Sequence, residues 1–149
     1  MPCSFRSFTA ALGFAKKGTS DGQRTKNNVA DQVTLAGRPP IDLDAPPSGA
    51  GCVECLADDG WWFHLRRCAH CGHVGCCDSS PSRHATRHAR EADHPIAQTY
   101  EPGEDWFWDY ASGEYVEGPA LAAPHHHPLD QPVPGPTGRV PRDWQRHLH

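Results

Sequence analysis

Residues 52–94 carry a ladder of cysteines and histidines: Cys52-x-x-Cys55, Cys68-x-x-Cys71, the adjacent Cys76 and Cys77, then His84, His88 and His94. Two thiolates separated by two residues chelate one ion from a tight turn, so C-x-x-C is the recurring half of a zinc site. Two such pairs, one further cysteine and three histidines make eight ligands. Eight ligands close two tetrahedral sites and leave no position for water, and closed sites are structural, since a catalytic zinc keeps an open position. The cofactor expected is therefore zinc, as two structural ions in one small domain.

The rest of the chain makes such a staple necessary. Apolar residues are 37% of the 149, below the roughly 45–50% of ordinary globular chains. Prolines (15) and glycines (14) gather outside the middle of the chain. A domain of about 70 residues buries too little surface to be comfortably stable without disulfides or a metal. Six of the seven cysteines lie within 26 residues, in metal-type pairs beside histidines that disulfides would not need. This favours a reducing, cytoplasmic setting. No apolar run approaches the roughly 18 residues of a membrane span. The first 17 residues place their lysines after a short apolar patch, the reverse of a secretory signal.

Composition divides the chain in three. Residues 1–47 lack any sustained period and end in a Pro-rich run, which reads as a disordered extension. Residues 48–118 form the domain, and residues 119–149 a Pro-rich flexible tail. Within the domain, Trp61–Leu65 reads as a short aromatic strand. Residues 80–92 read as a helix, with Ser80 as N-cap and Pro81 at the first position. Ile96–Tyr100, Trp106–Tyr110 and Glu114–Val116 follow as strands joined by turns at Pro102-Gly103 and Ser112-Gly113. The last nine residues read as one helical turn with Trp144 and Leu148 paired. Residues 48–118 hold five basic against twelve acidic groups, a net of −7. That balance disfavours phosphate-backbone binding.

The ligands can be divided in three ways. A zinc ribbon of Cys52, Cys55, Cys68 and Cys71 leaves the later cysteine and the histidines without a role. A DNA-binding finger of Cys68, Cys71, His84 and His88 has the right spacing. It would, however, put Gly75 and Pro81 where that finger needs an aromatic and an aliphatic residue. A cross-brace joins the first pair to Cys76 and His84 and the second pair to His88 and His94. It uses each ligand once, and His84 and His88 then share one helix face at i,i+4. Spacing alone favours Cys76 over Cys77 only weakly. His64, His73 and His70 read as strand or turn residues outside the metal sets, and His125–His127 as a surface tract. Arg83, Arg87 and Arg90 recur at i, i+4, i+7 as a basic stripe whose simplest role is a solvated helix face.

The ordered series of C-x-x-C, tryptophan, C-x-x-C, cysteine, H-x-x-x-H and a third histidine, followed by an aromatic strand, resembles the UBP-type zinc finger. This is the ubiquitin-binding module attached to many deubiquitinases and to a cytoplasmic histone deacetylase. The run from Cys76 to Pro81 and the later EPGEDW are similar to a bacterial stand-alone branch. The resemblance spans about residues 50–116 and implies an α+β fold, a small antiparallel sheet packed on one main helix. It also implies the cross-brace with Cys76, and a pocket that takes a free C-terminal Gly-Gly carboxylate between aromatic side chains. Trp62 stands seven residues after Cys55, where the family places a pocket aromatic, and Trp106, Trp108 and Tyr115 are further pocket candidates. An alternative role for these aromatics is to fill the core. Two residues after Cys76, where the resemblance calls for a carboxylate-binding arginine, stands Asp78. Arg66, Arg67 and Arg83 are the basic residues that could replace it in space.

Ligation occupies the thiolates, and the chain has no Gly-rich phosphate loop, G-x-S-x-G or H-E-x-x-H motif. The expectation is a monomeric, non-enzymatic protein-interaction module. Its partner would be a peptide or protein tail held in an aromatic cleft, with ubiquitin disfavoured by Asp78. A nucleic-acid-associated finger is the alternative.

Overall fold

The computed structural model describes residues 32–33 and 37–149. Most of the expected N-terminal extension, residues 1–31 and 34–36, lies outside the described residues. The elements in chain order are β1 (Gln32–Val33), β2 (Ile41–Asp42), α1 (Val53–Ala57), β3 (Leu65–Cys68), β4 (Val74–Cys76), α2 (His84–Glu91), β5 (Ile96–Thr99), β6 (Phe107–Asp109) and β7 (Glu114–Val116). A 3-10 turn at Trp144–His147 follows. β1 and β2 pair separately, and the other five strands form one antiparallel sheet in the order β4-β3-β5-β6-β7. The α+β class is as expected. No helix of the described residues is long and apolar enough to cross a membrane.

Register assigns the faces. Arg66 pairs with both Gly75 and Thr99, Cys68 with Ala97, Ala97 with Trp108, and Trp108 with Tyr115. Paired residues point to the same side of a sheet. This face therefore carries Arg66, Cys68, Ala97, Trp108 and Tyr115. Helix α2 covers its β4–β3 end, approaching so closely that a Cβ on Gly75 would lie 2.7 Å from the Ala85 nitrogen. Glycine is what permits that contact. Among the described residues, no helix covers the β6–β7 end of the same face.

The opposite face buries Ile96 and Phe107 with Ala69, Ile41 and Leu121. Ile41 and Leu121 lie outside residues 48–118, so packing extends past both expected boundaries. Arg67 is fully buried on this face, and its guanidinium donates to the carbonyls of Ala45 and Ala122, each at 2.6 Å. It thereby ties both flanking segments to β3. The Pro-rich segment after residue 119 runs along the domain. The Trp62 and Gly135 backbones exchange hydrogen bonds of 2.8 and 3.0 Å, and Arg139 donates to the Cys55 carbonyl at 3.0 Å.

Two local expectations shift. Helix α2 begins at His84 and not near Ser80, because Arg83 adopts a left-handed conformation (φ 49°, ψ 46°). Ser80 Oγ accepts the Phe63 N–H at 2.9 Å and caps nothing. The Trp61–Leu65 run is not a strand. Trp62 makes an isolated bridge to Gly135, and β3 starts only at Leu65.

Candidate functional site

The structure gathers the ladder into two groups of four. Cys52, Cys55, Cys76 and His84 form one, and Cys68, Cys71, His88 and His94 the other; in each, the ligand atoms lie within 4.8 Å of one another. The first group joins the start of α1, the end of β4 and the first residue of α2. The second joins the β3–β4 turn, the middle of α2 and the approach to β5. One helix is thus pinned at both groups, the cross-brace pattern.

The spacing fits zinc. Bonds of about 2.3 Å to sulfur and about 2.0 Å to nitrogen imply tetrahedral S···S and S···N edges of roughly 3.8 and 3.5 Å. The Cys55 and Cys76 sulfurs are 3.9 Å apart, and His84 Nδ1 lies 3.3–3.4 Å from the sulfurs of Cys52, Cys55 and Cys76. In the second group Cys68 Sγ lies 3.6 Å from His94 Nδ1, and Cys71 Sγ lies 3.4 Å from His88 Nε2. The His84 and His70 backbone N–H groups point at the sulfurs of Cys76 and Cys68 at 3.2 and 3.4 Å. Such donors stabilise thiolates.

The thiols of each group also act strongly on one another. Hydrogen bonding from Cys68 pulls Cys71 down to about 3, while Cys71 pushes Cys68 far up. Cys52 and Cys55 likewise pull Cys76 down to about 4, and Cys55 is driven far up by Cys52 and Cys76. Thiolates this close coexist only around a divalent ion. The two groups fit two zinc ions, the first with three thiolates and one imidazole, the second with two of each. Every ligand of the first group is buried, whereas in the second Cys71 is exposed and both histidines are half-buried.

A cleft opens at the uncovered end of the sheet. Its walls are Trp106, Trp108, Tyr110 and Tyr115, with Arg66 and Asp78 on its lining and a volume of about 170 Å³. Cys77 and Ser79 complete it. Trp106, Trp108 and Tyr110 reach the same side because they alternate along β6 and the residues that flank it, while Phe107 and Asp109 between them are buried. Tyr115 stands nearly perpendicular to both indoles, at 5.3 Å and 88° from Trp106 and 5.0 Å and 79° from Trp108. The Arg66 guanidinium lies over the Trp106 ring, 4.4 Å from its centroid.

The family model for the zinc finger in ubiquitin hydrolases and other proteins matches residues 52–121, a span that contains all eight ligands. Residues 52–121 form a UBP-type zinc finger. No curated protein matches the chain. The solution NMR structure of protein RPA1320 from Rhodopseudomonas palustris is similar, at 42% identity over 63% of this chain and 87% of that one, with a TM-score of 0.49.

Within this UBP finger the expected site residues separate. Trp106, Trp108 and Tyr115 do line one cleft. Trp62 does not: it is 2% exposed and packs in the core with Cys52, Cys55, Leu65, Val74, Cys76 and Tyr100. Its indole lies against Gly51 and Gly135, held there by the backbone pairing with Gly135. Of Arg66, Arg67 and Arg83, Arg66 alone lines the cleft; Arg67 is the buried clamp and Arg83 immediately precedes α2. Cys77 is outside the first ligand group. It lies 3.4 Å from Ser80 Oγ, and burial, which raises its thiol, is outweighed by His64, which brings it to about 7. His70 is a hydrogen-bonding residue: Nε2 accepts from the Ile96 N–H at 3.2 Å, so Nδ1 carries the proton toward the Pro40 carbonyl at 2.9 Å.

His127 departs from the surface tract expected at His125–His127. It is 2% exposed, with Nε2 3.0 Å from Glu101 Oε2, and the other Glu101 oxygen accepts the Leu65 N–H at 2.7 Å. Nothing in a histidine tract within a Pro-rich run signals that one member is buried against a carboxylate 26 residues earlier.

Proposed function

We propose that this UBP finger is a non-enzymatic protein-interaction module that binds a peptide segment in the cleft of Trp106, Trp108 and Tyr115. The two zinc groups serve that task by holding the sheet whose free end carries the cleft. The observation behind the reading is the placement of these aromatics. The core is filled by Trp62, Phe107 and Tyr100, while Tyr115 is 69% exposed and the two indoles are only half-buried. Large aromatic side chains kept out of a core that small stand ready for a ligand.

Ubiquitin-type tails are a poor fit. Asp78 lines the cleft where the family pattern calls for an arginine, and a carboxylate there repels an incoming carboxylate. The acidic domain gives no support to a nucleic-acid role.

The test is a titration of zinc-loaded protein with pooled short peptides, following the tryptophan indole N–H resonances. Binding that shifts the Trp106 and Trp108 signals and is lost in Trp108→Ala is the expected result. Shifts confined to other tryptophans, or none with any pool, contradict the reading. A peptide ending in free Leu-Arg-Gly-Gly and its amidated twin are both expected to leave the signals unmoved.

A further inference from the structure

The cleft carries two opposite charges that do not neutralise each other. Arg66 and Asp78 both line it, yet among the described residues neither has an ion-pair partner within 4.0 Å. Arg66 is held by the Leu65 carbonyl at 2.8 Å and by the face of Trp106. Asp78 accepts a hydrogen bond from Thr86 Oγ1 through Oδ1. Each charge is therefore fixed in place by its own support, one on β3 and one beyond β4, with aromatic walls beside them. Asp78 also reaches the aromatic side of the cleft, where burial and its charge together push the Tyr110 hydroxyl up.

Ligand charge then decides what the cleft accepts. A purely anionic group gains Arg66 but meets Asp78. A purely cationic group gains Asp78 but meets Arg66, and a neutral one gains neither. A group carrying both signs over a short span gains from both, and charge-assisted hydrogen bonds are the strong ones. A volume of about 170 Å³ holds about one amino-acid residue.

Building on the peptide-binding reading above, we propose that the cleft selects a dipolar terminal residue: the C-terminal arginine or lysine of a peptide, its carboxylate toward Arg66 and its side-chain cation toward Asp78. This differs from a glycine-tail pocket, in which the terminal residue brings no charge except its carboxylate.

Four acetylated tetrapeptides separate the contributions in calorimetric titrations of the zinc-loaded full chain. Three alanines are followed by arginine or by norleucine, each as free acid or as amide. The arginine acid is expected to bind at least about tenfold more tightly than any other, in line with the value of hydrogen bonds to charged groups. Asp78→Asn should abolish the preference for arginine over norleucine and keep that for acid over amide. Arg66→Gln should do the reverse. Zinc content and circular dichroism establish that both variants are folded. Equal binding of acid and amide, or of arginine and norleucine, overturns the dipolar selection while leaving peptide binding in the cleft intact. Absence of binding by all four overturns the selection too, and the indole titration with pooled peptides then reports separately on the cleft.

Discussion

His73 lies face to face with His88, their ring centroids 4.1 Å apart and their planes 9° from parallel. His88 belongs to the second zinc group. His73 is in turn bonded through Nε2 to Glu54 Oε1 at 2.7 Å, and Glu54 sits between the two cysteines of the first pair. A carboxylate on one metal loop thus fixes the ring that backs a ligand of the other. Partners of this kind orient metal ligands, and their loss commonly weakens metal binding by about 10–100-fold.

Glu54→Gln is therefore expected to speed extraction of the second zinc by a chromogenic chelator by about tenfold, with the first ion little affected. The effect has a pH signature. Burial works against charge on both groups, but each overcomes it in the other: Glu54 is brought down to about 2 and His73 is raised above 6.5. The raised histidine makes the pair complete below its ordinary value of 6.5 and weaker as pH climbs through the raised one. The difference between parent and variant should narrow on the alkaline side. Equal release rates at all pH values would show that the stack does not hold His88.

Trp62 and Trp108 should respond in opposite ways to truncation. Trp62→Ala removes a fully buried indole from the cluster that contains three ligands, at a cost of about 3–5 kcal/mol in stability. Trp108→Ala removes a half-buried cleft wall, so thermal stability should change little while peptide binding is lost. Chemical denaturation of the zinc-loaded proteins distinguishes them, and a comparable loss of stability in both contradicts the division between core and cleft.

Replacing His127 with alanine leaves Glu101 buried without its ring partner. Leaving a buried acceptor without one of its donors costs about 1–3 kcal/mol. Glu101 keeps the Leu65 N–H, so the lower end of that range is expected in equilibrium denaturation. His125→Ala, in the same tract but exposed, should be neutral, and equal effects from the two would contradict a specific role for His127.

What was legible beforehand follows the range over which each signal acts. Metal chelation is dictated by covalent spacing, so the two C-x-x-C pairs and the later cysteine and histidines point to two four-ligand groups, while their division, and Cys76 over Cys77, rests on the resemblance. Glu114–Val116 was bounded correctly because turn residues mark its start. Helix α2 was misplaced at its N-terminus because the local capping signal at Ser80 yields to a tertiary demand, the Phe63 N–H and the placing of His84 at the first metal group. Trp62 was assigned to the pocket from its distance to Cys55, but its partner, Gly135, is more than 70 residues away and invisible to local pattern. The same holds for Ile41, Leu121 and Arg67, whose contacts join segments that composition had set apart. For Trp106 and Trp108, alternation puts both on one face, but which of the two faces is buried depends on the flanking segments that cover Phe107.

The division of ligands is the central claim, and cadmium-113 NMR of the metal-exchanged protein tests it most directly. Two resonances are predicted in equal amount, one from three sulfurs and one nitrogen (Cys52, Cys55, Cys76, His84), the other from two of each (Cys68, Cys71, His88, His94). Cys76→Ser should move only the first, while Cys77→Ser should leave both in place. A single resonance at the position of four sulfurs, unmoved by Cys76→Ser, would mean a ribbon of Cys52, Cys55, Cys68 and Cys71 and would contradict the cross-brace.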